Sequence, residues 1–125
     1  MDELLNQYVS AFDQLEPEQI VRLYRLPCAI ADADGVQTFT EQSKLVSKFR
    51  QNCLQLQQLG YQRAQYQVLS SEPLGNEQLL VNVAWRVDLA NAAIDFRALY
   101  ILHKHEQRWL IYSTNVYPGS FVSIE

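Results

Sequence analysis

Residues 78–117 read QLLVNVAWRVDLANAAIDFRALYILHKHEQRWLIYSTNVY, and the phasing of this stretch decides the fold. Three runs rich in Val, Ile, Leu, Tyr and Trp (residues 78–89, 93–104 and 108–117) are separated by short polar links, the pattern of an antiparallel meander. A turn at Ala90-Asn91 sets Val87 opposite Ile94, Trp85 opposite Phe96, Val83 opposite Ala98 and Val81 opposite Tyr100. That face is almost wholly apolar. The opposite face carries Arg86 across from Asp95, an opposite-charge pair that favours this register by roughly a few tenths of a kcal/mol. A second turn at Glu106-Gln107 extends strict alternation into the last strand. Trp109, Ile111, Ser113, Asn115 and Tyr117 are then expected on the first face, and Leu110, Tyr112, Thr114 and Val116 on the second.

The two faces call for different surroundings. The first is the platform for helices, and it places the polar groups of Tyr100, Ser113 and Asn115 beside Trp85. An unpaired buried polar atom costs about 1–3 kcal/mol, so these groups satisfy one another or line a pocket. The second face mixes Leu80, Leu99, Ile101, Leu110, Tyr112 and Val116 with Asn82, Arg86, Asp88, Asp95 and Arg97. A sheet face open to water is mostly polar, and an apolar patch on one marks an interface. A homodimer formed through the sheet is therefore expected, with Arg86, Asp95, Arg97, Leu99, Ile101 and Tyr112 at its interface. An exposed face without a partner is the alternative.

Upstream the period is helical. Leu4, Leu5, Tyr8, Val9, Phe12 and Leu15 recur at three- and four-residue steps and predict an amphipathic helix, with Asp2 and Glu3 in its first turn. Pro17 suits the first turn of a second, short helix running to about Tyr24, and Pro27 closes it. Residues 28–39, CAIADADGVQTF, predict a hairpin turning at Asp34-Gly35. Thr40 is expected to cap a helix over residues 41–59, whose Leu45, Val46, Phe49, Cys53 and Leu56 share a face, and Gly60 to end it in the left-handed conformation. Residues 61–72 form one more strand before the turn-rich SSEPLGNE. Helices leading into a meander give an α+β class, helices on one face of an antiparallel sheet, as one domain over residues 1–125.

Composition limits the partners. The 125 residues are 48% hydrophobic, which excludes a disordered chain, and contain no apolar stretch of membrane-spanning length. The net charge of −4 and the absence of a Lys/Arg cluster argue against nucleic acid or an anionic membrane. The acidic, amphipathic start MDELLNQYVSAF lacks the features of a signal peptide, so a cytoplasmic protein is expected. Cys28 and Cys53 lie in apolar surroundings without metal-ligand spacing and read as buried thiols. No glycine-rich phosphate loop, paired-histidine metal spacing or nucleophile elbow occurs, so neither metal nor cofactor is expected.

Taken together, LLNQYVSAFDQLEPEQIVRLYRLPCAI, the hairpin ADADGVQTFT, the LGYQR after the long helix and the tail YILHKHEQRWLIYSTNVY resemble the NTF2-like (cystatin-like, SnoaL-like) superfamily over about residues 2–118, especially its uncharacterised small bacterial members. The resemblance implies a cone: a strongly curved sheet wraps the helices and leaves a pocket at its open end, and dimers often form through the sheet. It implies no single activity, since members of the superfamily isomerise, dehydrate or cyclise small molecules, or only bind.

Within that cone Tyr8, Phe12, Tyr24, Phe49, Trp85, Tyr100, Ser113 and Asn115 are the expected lining of a pocket for a small apolar ligand, with Tyr66 beside them. Catalytic members resemble one another in placing a carboxylate inside the cone. Here Asp88 and Asp95 fall on the outer face, and His103 and His105 near a hairpin tip. Asp32, beside the first hairpin turn, is the one carboxylate in reach of the cone mouth. The reading is a non-catalytic binding or interaction domain. The alternative is an isomerase, dehydratase or cyclase with Asp32 as base and Tyr100 with Asn115 stabilising an enolate-like oxygen.

Overall fold

The computed structural model describes residues 1–121. Helix α1 spans Asp2–Asp13, α2 Pro17–Val21 and α3 Gln42–Gln58. The strands are β1 Tyr24–Asp32, β2 Gly35–Phe39, β3 Arg63–Pro73, β4 Gln78–Asp88, β5 Ala93–His105 and β6 Arg108–Tyr117. They form one open sheet in the order β2-β1-β6-β5-β4-β3, antiparallel except where β1 returns beside β6. The helices cover its inner face. Their apolar stripes meet there: Leu5 of α1, Ile20 of α2 and Leu45 of α3 are fully buried against Val81, Val83, Leu102 and Ile111 of the sheet.

The β4–β5 register is the expected one, with Val87 opposite Ile94, Trp85 opposite Phe96, Val83 opposite Ala98 and Val81 opposite Tyr100. Arg86 points away from the helices and grips Asp95 with two hydrogen bonds of 2.8 and 3.0 Å. Gly60 has φ +78°, and a Cβ there would meet that of Ala90 at 2.5 Å, so both conformation and space require glycine.

The alternation expected along β6 fails at one point. Leu102 pairs with Ile111 but Ile101 pairs with Ser113, leaving Tyr112 as the extra residue of a β-bulge. Inward and outward exchange places beyond it. Thr114 and Val116 turn inward opposite Tyr100 and Ala98, while Ser113, Asn115 and Tyr117 turn outward, contrary to the strict alternation.

Three smaller expectations are also corrected. Helix α2 stops at Val21, and Tyr24 opens β1, where the Ile111 N–H donates to the Leu23 carbonyl at 2.8 Å. Pro27 therefore lies within β1 rather than ending a helix, in a stretch between Tyr24 and Ala29 where pairing with β6 is irregular and a missing N–H is tolerated. The first hairpin turns at Ala33-Asp34, one residue earlier than expected, because Asp32 pairs with Gly35 and the Asp32 carboxylate accepts the Asp34 N–H at 3.0 Å. Glu41, not Thr40, is the N-cap of α3, and its side chain makes no capping bond.

Candidate functional site

A cavity of about 320 Å³ lies between α1, α3 and the inner face of the sheet, close to the lower end of the roughly 300–1,000 Å³ range of ligand pockets. It has room for one or two rings. Tyr8, Phe12, Tyr24, Phe49, Trp85 and Tyr100 line it. Phe96 and Ile94 extend the wall toward the rim, where Leu59 and Ile94 remain exposed to water. Tyr66 stands behind Trp85, ring centroids 5.6 Å apart. Its hydroxyl and that of Tyr61 donate to Asn6 and Asp13 at 2.7 Å each, tying α1 to the chain at and just before β3.

The polar groups inside this wall form two short chains. The Tyr24 hydroxyl bonds the Tyr8 hydroxyl at 2.9 Å and the Thr114 hydroxyl at 3.0 Å. The Trp85 indole N–H donates to the Tyr100 hydroxyl at 3.0 Å. Burial pushes the Tyr8, Tyr24 and Tyr100 phenols above their ordinary range, so all three stay neutral near pH 7. Thr114, not Ser113, supplies the β6 hydroxyl, and Asn115 is exposed on the far side of the sheet. Neither Ser113 nor Asn115 belongs to the cavity wall, because the bulge at Tyr112 inverts their direction. An enolate-stabilising role for Asn115 is thereby removed.

Asp32 does line the cavity, together with a residue that the sequence pattern did not single out, Lys48 of α3. The Lys48 side chain is only 7% exposed and Asp32 18%, and Lys48 Nζ lies 2.9 Å from Asp32 Oδ2 and 3.5 Å from Asp34 Oδ2. Both are ion-pair contacts whose angles depart from good hydrogen-bond alignment, so the donors of the buried ammonium are incompletely used. Lys48, Asn52, Gln55 and Leu59 recur at helical steps and form the α3 side of the cavity, one stripe over from the core stripe Leu45, Phe49 and Cys53. That spacing was visible in the sequence. A lysine flanking a core stripe is by default solvated, and only the tertiary fold shows this one covered.

The remaining named residues lie elsewhere. Leu99, Ile101, Arg86, Asp95 and Arg97 are half-buried on the outer sheet face, and Tyr112 is exposed there. The chain's own C-terminal segment already crosses part of that face. Asp95 accepts the Phe121 N–H at 3.2 Å, the Arg86 guanidinium lies 5.0 Å from the Phe121 ring, and Arg97 donates to the Ser120 carbonyl at 3.4 Å. His103 stacks on Tyr112 at 4.3 Å, and His105 is exposed. Cys28 and Cys53 are free and buried, and burial pushes the Cys28 thiol up to about 11. Among the described residues no cluster of His, Cys, Asp or Glu could hold a metal ion, and no helix is long and apolar enough to cross a membrane.

The comparisons agree with this architecture. A family model described as NTF2-like protein (DUF6841) matches residues 1–119. The chain belongs to that family. Solved structures similar to this NTF2-like chain include a domain of unknown function with a cystatin-like fold from Nostoc punctiforme, at TM-score 0.77 and 15% identity over 96% of this chain and 75% of that one. An NTF2-like protein of unknown function from Shewanella oneidensis is similar at TM-score 0.76 and 14% identity, covering 92% and 93% of the two chains. A ketosteroid isomerase-like protein from Erwinia carotovora atroseptica is similar at TM-score 0.70 and 10% identity, covering 92% and 90%. At such identities the likeness shows the fold alone. No curated protein sequence matches the chain.

Proposed function

We propose that this NTF2-like domain binds a small, mainly apolar molecule of one or two rings in the cone. The observation that carries the reading is the aromatic wall around about 320 Å³, with its inward hydroxyls held by neutral hydrogen bonds. Apolar pockets with a few fixed polar groups are the usual form of small-molecule sites. Ring contact with Trp85 and Phe49 supplies affinity, and the Tyr8, Tyr24 and Thr114 hydroxyls set orientation. A ligand at one hundred times its Kd adds about 2.7 kcal/mol to folded-state stability. A panel of neutral one- and two-ring compounds is therefore expected to contain members that raise the melting temperature in a concentration-dependent manner. No shift across the panel would overturn the reading.

A second reading is acid–base catalysis, favoured by the one carboxylate in the cavity wall, Asp32. Asp32 would take a proton from the carbon beside a carbonyl. Incubation of a bound ketone in heavy water tests it: enzyme-dependent deuterium uptake at that carbon, abolished in Asp32→Asn, is the expected result, and uptake at the buffer rate removes the reading.

We further propose that two copies associate through the outer sheet face around Leu80, Leu99, Ile101 and Tyr112, with Arg86, Asp95 and Arg97 at its edge beside residues 118–121. Exposed Tyr112 among half-buried aliphatic side chains supports this. Light scattering is expected to give twice the chain mass for the wild type and the single-chain mass for Ile101→Lys; a monomeric wild type refutes it.

A further inference from the structure

Lys48 is the feature of the cavity that the reading above leaves unexplained. An ammonium is costly to bury, and its charge is balanced here by Asp32 and Asp34, but neither contact has good hydrogen-bond alignment. It projects from α3 into the same cavity that Tyr24 and Trp85 line from the sheet. With three N–H donors and only these two imperfectly aligned carboxylate contacts, the ammonium keeps donor capacity for an acceptor in the cavity. The charged end of the cavity lies at the β1–β2 hairpin; Asn52, Gln55 and Thr114 add neutral polar groups to a wall that is otherwise aromatic and aliphatic.

We infer that Lys48 is the anchor for a neutral oxygen acceptor on the ligand, a carbonyl above all. The inference rests on the ligand-binding reading and narrows the class of molecule. Charge decides between acceptors. Asp32, Asp34 and Lys48 together carry a net −1, so a carboxylate or phosphate would bring a further negative charge against two existing ones in a partly water-excluded site. A carbonyl or ether oxygen accepts the same hydrogen bond without that repulsion. An ammonium already paired with two carboxylates offers the ligand oxygen a hydrogen bond, not the free lone pair that a covalent imine requires. The ligand class is then a neutral ring ketone or a related oxygen-bearing apolar compound, its oxygen at Lys48 and its rings between Trp85 and Phe49.

Three probes on one ring body separate the possibilities: naphthalene, 2-acetylnaphthalene and 2-naphthoate, measured by calorimetry on the full chain. For the wild type, 2-acetylnaphthalene is expected to bind about tenfold more tightly than naphthalene, the gain of one good charge-assisted hydrogen bond, and 2-naphthoate more weakly than the ketone. Lys48→Met is expected to erase the ketone's advantage while naphthalene binds at least as well as before. Because that change leaves Asp32 without its cation, Asp32→Asn/Lys48→Met, which removes both charges, serves as the second variant and is expected to give the same loss of preference. If naphthalene binds but the ketone gains nothing, or its gain survives both variants, Lys48 is a structural lysine and the inference falls alone. A preference for 2-naphthoate overturns the neutral-acceptor assignment. Failure of all three probes to bind overturns the inference and the ligand-binding reading together.

Discussion

Trp85 and Arg86 are neighbours in sequence and opposites in environment. The indole faces the helices, is 4% exposed and donates to a buried neutral hydroxyl; the guanidinium faces outward, is 39% exposed as a side chain and donates to a carboxylate. The same contrast runs across the whole sheet. Inside, polar atoms are satisfied by chains of hydroxyls that carry no charge; outside, by ion pairs such as Arg86–Asp95 and Arg63–Asp88. Low dielectric penalises charge far more than a paired hydroxyl, and the curved sheet separates the two regimes by one residue of alternation. Against that background the Lys48–Asp32 pair stands out, being charged and on the inner side.

The comparison is broken most severely at the indole. Trp85→Ala is expected to cost about 3–5 kcal/mol, as large aromatic truncations in packed cores do, because Trp85 touches Tyr8, Tyr66 and Phe96 as well as the cavity. Arg86→Ala, one residue along, removes a partly exposed pair and is expected to cost far less. Urea unfolding of both variants checks the difference, and comparable losses would show that the faces are not distinct in energy.

That difference was already legible in residues 81–100, and the reason is physical. A short turn, unbroken pairing and one charge pair leave a single register in which Trp85 is inside and Arg86 outside. The second half of β6 was not legible in this way. Its segment Ser113-Thr114-Asn115 is polar at every position, so hydropathy cannot say which side chain faces the core, and the one-residue bulge at Tyr112 changes the parity without a sequence marker such as glycine. The error passed directly into the candidate site, where Thr114 replaces Ser113 and Asn115. Tyr24 illustrates the converse. Its sequence neighbourhood reads as helix where the fold has strand, yet its inward direction is the same in both, because the core needs that ring whichever element delivers it. Lys48 was missed for a third reason: burial of a lysine is set by what packs over it from elsewhere in the chain.

A smaller effect sharpens the contrast between hydroxyls. Tyr24→Phe removes the group that joins Tyr8 to Thr114 and leaves two buried hydroxyls to find new partners, with an expected loss of about 1–2 kcal/mol. Tyr117→Phe, on the outer face, removes a part-buried bond to Asn82 whose acceptor is nearer to water, and about half that loss or less is expected. Equal losses would mean that solvent does not reach the outer partner.

The smallest expected effect concerns acid, and it separates the outer face from the inner one by titration. Hydrogen bonds from Arg86 hold the Asp95 carboxyl below the ordinary range, and Arg63 does the same for Asp88. A carboxyl held low when folded contributes stability that is present above its unfolded value near pH 4 and is lost as pH falls below it. His103 acts in a higher window. Burial and then Arg25 push its imidazole below the ordinary value, and its Nδ1 must be unprotonated to accept from Arg25 Nη1 at 3.1 Å. Its stabilising contribution is therefore present above about pH 6.5 and lost as pH falls through that value, where the unfolded chain protonates first. His103→Phe keeps a ring stacked on Tyr112 but cannot titrate. Between pH 7 and pH 5 the wild type is expected to lose about a degree or two of melting temperature relative to this variant. Coincident curves in that interval would mean that His103 binds its proton equally well folded and unfolded, and that the Arg25 contact adds nothing to the outer face.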